Sequence, residues 1–372
     1  MILDEIDPDS RAMLEAHGFD AETFELLRRE LADGTLLGRG NVVKGVVEPP
    51  LPSDLTPLPG PGQPGFSEAA AAGAKALRAG SVAMVVLVGG MATRFGGGVK
   101  AIAEALDGRS FLEVKIGETE RLERELGAEI PTVLMTSFAT DAAVRSHVAE
   151  RGLGQPLWFC QTAAPRLRPD GSLFVGSDGT ASLYGPGHGD LLSCICSSGT
   201  LAELEHRGVE TVVVSNVDNL GARIDPVVVG MHVLARTPLT VEVVAKGNDT
   251  GGAPARVDGR PQLLEALRFP PDFDQSRIPV FNTNTSLITV DALRQPVGLT
   301  WLVAEKTVDD EAVVQFERLY HELSAHVPTT FLVVPRHGPR GRFLPVKEPS
   351  DLAPVQPLLR EMLAAPLAGA GS

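Results

Sequence analysis

The chain has 372 residues, 43% of them hydrophobic and 22% charged, with a formal net charge of −14. These values are ordinary for a soluble globular protein of about two domains. They exclude a nucleic-acid footprint, since nothing in the sequence forms a basic stripe.

No apolar run approaches the ~18 residues of a membrane span. The acidic start, MILDEIDPDSRAMLEAHGFD, lacks the basic end and apolar stretch of a signal peptide. Cys160, Cys194 and Cys196 make no disulfide framework, and no C-x-x-C spacing points to zinc or redox chemistry. The expectation is a cytoplasmic protein that contacts neither nucleic acid nor membrane.

In chain order, residues 8–33 have helical spacing, with Leu14, Phe24, Leu27 and Leu31 among charged neighbours. Residues 48–65 are rich in Pro and Gly and read as an extended arm laid over the body. An Ala-rich helix is expected near 67–79. Apolar strands then alternate with polar helices. Strands are expected near 82–88, 132–136, 156–160, 211–217, 239–245 and 285–290, and helices near 140–151 and 199–207. This alternation predicts an α/β fold of βαβ units with a mainly parallel sheet covered on both faces. Residues 1–80 form a helical and Pro-rich N-terminal extension in this reading, and 81–372 form the main domain.

Ligands of such sheets bind beyond the carboxyl ends of the strands, and the polar motifs here follow strand ends. The run MVVLVGGMATRFGGGVK (84–100) stops at Gly89-Gly90, continues through Thr93, Arg94 and Gly96 to Gly98, and closes on Lys100. Glycines let backbone N–H groups approach an anion, and Arg94 and Lys100 add positive charge. Taken alone, the segment fits either a polyphosphate cradle or a tight turn with solvated cations. Val99 excludes the G-x-x-x-x-G-K-[ST] loop, and G-x-G-x-x-G does not fit either.

Gln161 follows the PLWFC strand with an amide that donates and accepts, as a base edge requires. YGPGHGD (184–190) surrounds His188 with three glycines. ETVVVSNVDNLGARIDP places Asn216, Asp218 and Asn219 after a β-branched run, with Gly221 at the exit. An aspartate so placed suits Mg²⁺, which keeps several waters and takes few protein carboxylates. Asp225 before Pro226 reads as a turn or cap residue. His147, His206, His232, His321 and His337 read as surface or helix residues, and Cys194 and Cys196 as buried thiols.

YGPGHGD followed by SNVDNLGARID (215–225) resembles the UTP–glucose-1-phosphate uridylyltransferase family, the eukaryotic-type UDP-sugar pyrophosphorylases. The resemblance continues in order through PTVLMTSFATD, FCQTAAPRL, VEVVAKGNDTGGA, LLEALRFP, FNTNTSLI, AEKTVDDEAVVQFE and RFLPVKEPSDL, spanning about residues 84–352.

It implies a Rossmann-like, GT-A-like nucleotidyltransferase core that binds UTP and a sugar 1-phosphate and uses Mg²⁺. By position, Gly89, Gly90 and Lys100 would hold the UTP phosphates, with Arg94 beside them. Gln161 and the Gly187 main chain would read uracil. His188 would reach the sugar phosphate, and Asp218 would take the metal. Asn219 and Gly221 would line the same cleft. Glu265, Asn282 and Asn284 match sugar-hydroxyl contacts, Lys347 a lysine facing the reacting phosphates, and Lys246 and Lys306 fall in matching motifs.

The chain also departs from that pattern. Met91-Ala92 stands where the family has Leu-Gly, and the ATR triplet is similar to the GTR-like triplet of UDP-N-acetylhexosamine pyrophosphorylases. Thr285 replaces a second Asn, and AVVQFERLYHEL keeps only part of the Q-L-E-T-A run. The family's β-helix domain is expected to be absent after residue 372. The expected reaction is UTP plus glucose 1-phosphate to UDP-glucose plus pyrophosphate. The alternatives are the same reaction on galactose 1-phosphate or an N-acetylhexosamine 1-phosphate, or a non-catalytic nucleotide-sugar binder. Retention of Lys100, His188, Asp218 and Lys347 together weighs against a pure binder.

Overall fold

The computed structural model describes residues 1–36, 40–91, 95 and 97–365. Its centre is a mixed sheet of eight strands: β1 (Leu55–Pro57), β2 (Val82–Leu87), β3 (Thr132–Thr136), β4 (Leu157–Cys160), β5 (Thr211–Asn216), β6 (Leu239–Ala245), β7 (Val280–Thr289) and β8 (Thr329–Val333). They lie in the order β1-β8-β6-β7-β5-β2-β3-β4. Only β7 runs against its neighbours; every other pairing is parallel.

The chain steps outward from β2 to β3 and β4, then returns to lay β5 on the other side of β2. That reversal opens a crevice at the carboxyl ends of β2 and β5, where ligands of doubly wound sheets bind.

The β-branched character of β2 has a direct cause. Its side chains alternate across the sheet, with Val82, Met84 and Val86 entering one buried cluster and Ala83 and Val85 the other. A strand covered on both faces has no polar side to show, so it reads as a continuous apolar run.

The helices that cover the sheet include α3 (Phe66–Arg78), α4 (Phe111–Leu126), α5 (Asp141–Arg151), α6 (Asp190–Ser197), α7 (Thr200–His206), α8 (Pro226–Ala235) and α9 (Leu352–Ala364), after α1 (Pro8–Ala16) and α2 (Ala21–Ala32). Ser110 and Glu113 form a reciprocal capping box at the start of α4. Asp225 caps α8 by accepting from the N–H groups of Val227 and Val228, ahead of Pro226 at the first helical position. Among the described residues no helix is long and apolar enough to cross a membrane.

The Pro-rich arm is more than a covering strap. Its residues Leu55–Pro57 are β1, which pairs in parallel with β8 and forms one edge of the sheet. The sheet therefore draws on both sides of the division expected at residue 80. Of the expected strands, 285–290 is only the second half of β7, because Asn282, Thr283 and Asn284 interrupt its apolar pattern. Strand β8, the hairpins 253–264 and 302–317, and helices α4, α8 and α9 went unanticipated.

The composition of α3 follows from its packing on α8. Ala69 and Ala70 pack with Val227 of α8, and beside Gly73 the helices approach until only glycine fits. A Cβ on Gly73 would lie 1.8 Å from the Pro226 carbonyl oxygen, and one on Gly230 would lie 1.7 Å from that of Ala69. Backbone cannot rotate away as a side chain can, so the helices would have to separate. Gly230→Ala is therefore expected to destabilise the protein by about 3 kcal/mol despite the better helix propensity of alanine. Urea unfolding at neutral pH measures this directly, and a neutral substitution would refute the close contact.

Candidate functional site

The crevice between β2 and β5 holds a cavity of about 320 Å³. Leu87, Met135 and Val217 supply apolar lining. Gly89, Gly90, Lys100, Gln161, Gly185, Gly187, His188, Asn216 and Asp218 complete it. Eight of the residues singled out in the sequence, Gly89, Gly90, Lys100, Gln161, Gly187, His188, Asn216 and Asp218, thus meet around one space.

One wall is built from main chain and a single amide. Gln161 leaves β4 with its backbone N–H donated to the Thr136 carbonyl, 3.0 Å away. Its side chain lies between two glycines. A Cβ on Gly89 would fall 2.2 Å from Gln161 Nε2, and one on Gly185 would fall 2.3 Å from Oε1. A side chain at either glycine would displace the amide from this position. Gly187 has φ +91°, a conformation that side chains avoid.

This loop is laced to Arg318, whose N–H donates to the Pro186 carbonyl and whose carbonyl accepts from Gly189 N–H, both at 2.7 Å. The fully buried Asp190 carboxylate accepts from the Thr162 N–H and hydroxyl and from the Arg318 guanidinium. The segment after β4 and the GPGHGD loop are thereby fixed against each other.

The opposite side carries charge. Lys100 Nζ lies 3.1 Å from Asp218 Oδ2, and both side chains are mostly shielded from solvent. Behind Asp218 runs the segment 342–347. Val346 N–H donates to the Asp218 carbonyl at 3.0 Å, and Leu220 N–H donates to the Leu344 carbonyl at 3.1 Å. Asn219 is 2% exposed. Its amide is spent on this lacing, donating to the Arg342 carbonyl and accepting from the N–H groups of Leu344 and Gly221. A Cβ on Gly221 would lie 2.8 Å from the Arg342 carbonyl carbon. Asn219 and Gly221 therefore support the cleft from behind instead of presenting side chains to it.

Lys115, on α4, lies beneath this loop. It is buried, and its ammonium donates to Ser215 Oγ at 3.2 Å and to the Ala222 carbonyl. Burial pushes its pKa down to about 7; the nearby Asp218 and Glu242 carboxylates oppose that shift, and Arg342 adds to it.

A third cluster surrounds Glu265, Asn282 and Asn284. Asn284 has φ +57° at the point where the β6–β7 register shifts between Val241 and Val243. The two asparagines hold each other: Asn282 Nδ2 donates to Asn284 Oδ1 at 2.8 Å, and Asn284 N–H donates to Asn282 Oδ1 at 3.0 Å. Glu265 lies against Gly252, where a Cβ would sit 2.8 Å from Oε2.

His188 Nδ1 accepts from Tyr320 N–H at 3.2 Å. Burial lowers the His188 pKa to about 4, as does His321; Glu265 opposes the shift. The ring is therefore neutral at physiological pH, and the bond to Nδ1 leaves its proton on Nε2.

The remaining candidates lie elsewhere. Lys246 Nζ is tied to the Gln275 carbonyl at 2.8 Å. Lys306 pairs with Glu317 at 3.3 Å on the 302–317 hairpin. Lys347 is exposed, one residue beyond the Val346 bond to Asp218. Arg94, Gly96 and the Ala92 position lie outside the described residues. Cys194 is buried and Cys196 is exposed, so only the first fits the expectation of buried thiols. His232 lies in helix α8, as the surface-or-helix reading allows, but is buried there; His321, expected at a surface or helix position, has no exposure at all. Sequence reading missed Lys115, Arg318 and His321, because charged and imidazole side chains inside charged segments look like a solvated face.

The family model described as UTP–glucose-1-phosphate uridylyltransferase matches residues 67–363. The probable UTP–glucose-1-phosphate uridylyltransferase of Schizosaccharomyces pombe is 31% identical over 296 residues, covering 73% of this chain and 57% of that protein. The Solanum tuberosum enzyme is 31% identical over 287 residues, covering 73% and 60%. The chain thus spans roughly three-fifths of the length of these relatives.

Among solved structures, the UDP-N-acetylglucosamine pyrophosphorylase of Trypanosoma brucei has a TM-score of 0.75 at 19% identity, covering 95% of this chain and 80% of that one. A UDP-glucose pyrophosphorylase mutant from Leishmania major, in complex with UDP-glucose, has a TM-score of 0.70 at 24% identity, covering 89% and 75%. These likenesses show the fold.

The depressed pKa of Lys115 has a measurable consequence. Its folded value is about 7 against 10.5 for a free lysine. Between those values the unfolded chain binds more protons, so this group makes stability rise with pH from about 7 upward. Lys115→Met is expected to remove that rise, worth up to about 1.4 kcal/mol per pH unit. Urea unfolding of both proteins at pH 7, 8 and 9 tests it; parallel pH dependences would show that Lys115 titrates normally.

Proposed function

The chain belongs to the UTP–glucose-1-phosphate uridylyltransferase family, and on that premise we propose that it joins UTP to glucose 1-phosphate, releasing pyrophosphate and forming UDP-glucose. The observation that carries this reading is the composition of a single cavity. It combines a clamped neutral amide, glycine main chain and a neutral imidazole with a lysine–aspartate pair. A nucleotide sugar asks for both kinds of partner. Its base and hydroxyls need neutral donors and acceptors, and its phosphates need fixed charge.

In the proposed reaction a phosphate oxygen of the sugar 1-phosphate attacks the α-phosphorus of UTP in line. The bond from that phosphorus to the bridging oxygen breaks, and the electron pair leaves with pyrophosphate. The nucleophile is already an anion, so no general base is required. The work lies in aligning two anions and holding the charge on the departing oxygen.

Gln161 supplies a donor and an acceptor for the uracil edge, beside the Gly187 main chain. His188, neutral with its proton on Nε2, donates toward the sugar phosphate without adding charge. Glu265, Asn282 and Asn284 take sugar hydroxyls. Lys100 neutralises phosphate oxygens arriving beside Asp218, and Lys347 approaches from the segment bound to the Asp218 carbonyl.

The residues also fit Mg²⁺. Asp218 is partly open to the cleft and shares its Oδ2 with one lysine, and a cation that keeps most of its waters needs little more than one such carboxylate and phosphate oxygens. When bound, Mg²⁺ would supply charge neutralisation and polarisation at those oxygens. The three free cysteines support a cytoplasmic setting.

The test is pyrophosphate release from UTP and Mg²⁺ with glucose, galactose and N-acetylglucosamine 1-phosphates. Glucose 1-phosphate is expected to be turned over preferentially. Selective turnover of another sugar would correct the substrate, and UDP-glucose binding without turnover would leave only a binder. Asp218→Asn and Lys347→Ala are each expected to lower kcat by roughly 10²-fold, the scale of losing one preorganised electrostatic contact. A folded Lys347→Ala protein with full turnover would remove that lysine from the mechanism.

A further inference from the structure

His321 is wholly buried, yet neither of its ring nitrogens has a hydrogen-bond partner among the described residues. The same holds for Glu265 Oε1. The two approach each other: His321 Nδ1 lies 3.5 Å from Glu265 Oε1. Unpaired polar atoms in the interior are costly, so two that face each other at this distance are a site left slightly open. Hydrogen bonds of this kind are often long in ligand-free proteins and tighten in the complex.

The two residues come from separate elements that pack on each other, with Leu263 N–H donating to Ser324 Oγ at 2.8 Å. Glu265 directly follows the hairpin strand Arg260–Leu264, and His321 sits in the 3-10 segment Tyr320–Ala325. The His188 ring lies edge-on to His321, 5.4 Å between centroids.

We propose that His321 is a positioning residue for the sugar end of the cleft. Its Nδ1–H holds Glu265 Oε1 and so turns Oε2, on the Gly252 side, toward a sugar hydroxyl. The inference rests on the sugar-binding reading of Glu265 given above. Burial works against ionisation of Glu265, but His321 foremost, with His188 and Arg268, outweighs it and holds the carboxyl below its usual range. An ionised carboxylate only accepts, which suits hydroxyl donors.

A metal centre is the competing use of the three side chains, whose ligand atoms lie within 4.8 Å of one another. The Tyr320 N–H on His188 Nδ1 argues against it, because it leaves His188 offering a proton where a cation needs a lone pair. A donating His188 beside an accepting Glu265 carboxylate suits the hydroxyls of a polyol.

Steady-state kinetics and UDP-glucose binding, measured against UDP, test the assignment. His321→Leu is expected to raise KM for the sugar 1-phosphate by about 10- to 100-fold, the scale of a hydrogen bond to a charged group. It should leave KM for UTP and the affinity for UDP within about twofold. His321→Asn, whose amide donates from nearly the same place, should recover most of the loss and serves if the leucine variant folds poorly. In a Glu265→Gln background, either His321 substitution should add little, since its route to the sugar is already cut.

Equal effects on both substrates, or fully additive losses with Glu265→Gln, would overturn the positioning role and leave the proposed reaction standing. A wild-type protein that releases no pyrophosphate and binds UDP-glucose no better than UDP would overturn the reaction, and the role of His321 with it.

Discussion

The phosphate end of the cleft depends on one buried ion pair. Arg342 and Glu242 are almost completely removed from solvent, and the guanidinium spans both carboxylate oxygens at 2.7 and 2.6 Å. Two charges in the interior are tolerated only with such paired geometry, and removing either would strand the other. The pair pins the loop carrying Arg342 to the middle of β6. From there Asn219, Leu344 and Val346 lace the loop to the residues after β5, and that lacing sets the height of Asp218. Lys100 then meets Asp218, and Lys347 emerges one residue beyond the last bond.

The opposite wall is held by a second internal pair, Asp190 with Arg318, and by glycines that admit main chain where a side chain would collide. The two constructions differ because their ligands differ. Phosphates demand charge, which must be anchored by buried countercharge. A base and a sugar demand directed neutral groups, which are placed by close backbone contact. The antiparallel strand β7 joins them, pairing with β5 behind Asp218 and with β6 beside Glu242 while carrying Asn282 and Asn284. The left-handed Asn284 at its bulge is a local strain of the type that functional sites retain.

Much of this was legible before any coordinates. The buried parallel strands announced themselves because a strand covered on both faces has no polar residue to break its pattern. Gly89, Gln161 and Asp218 were legible because each follows a strand end, and His188 because three glycines surround it. Signals also went unread. Asp258-Gly259 and Asp309-Asp310 have positive φ at both positions of two-residue turns, the conformation that closes tight hairpins. An Asp-Gly pair between alternating residues foretells such a turn. The arm strand β1 was hidden for a different reason: a three-residue edge segment carries too little periodicity to stand out from a loop.

Local sequence determined the things that local physics controls: which runs become buried strands, where turns fall, and which residue types stand at strand ends ready for phosphate, base and metal. It could not determine which charges would be stripped of water. Lys115 and His321 lie in segments as polar as any solvated helix, and Asn219 looked like a cleft residue beside Asp218. Desolvation is a property of the packed whole. Only when α4 closed over the end of β5, and the hairpins brought Glu265 to His321, did those groups acquire their surroundings and with them their chemistry.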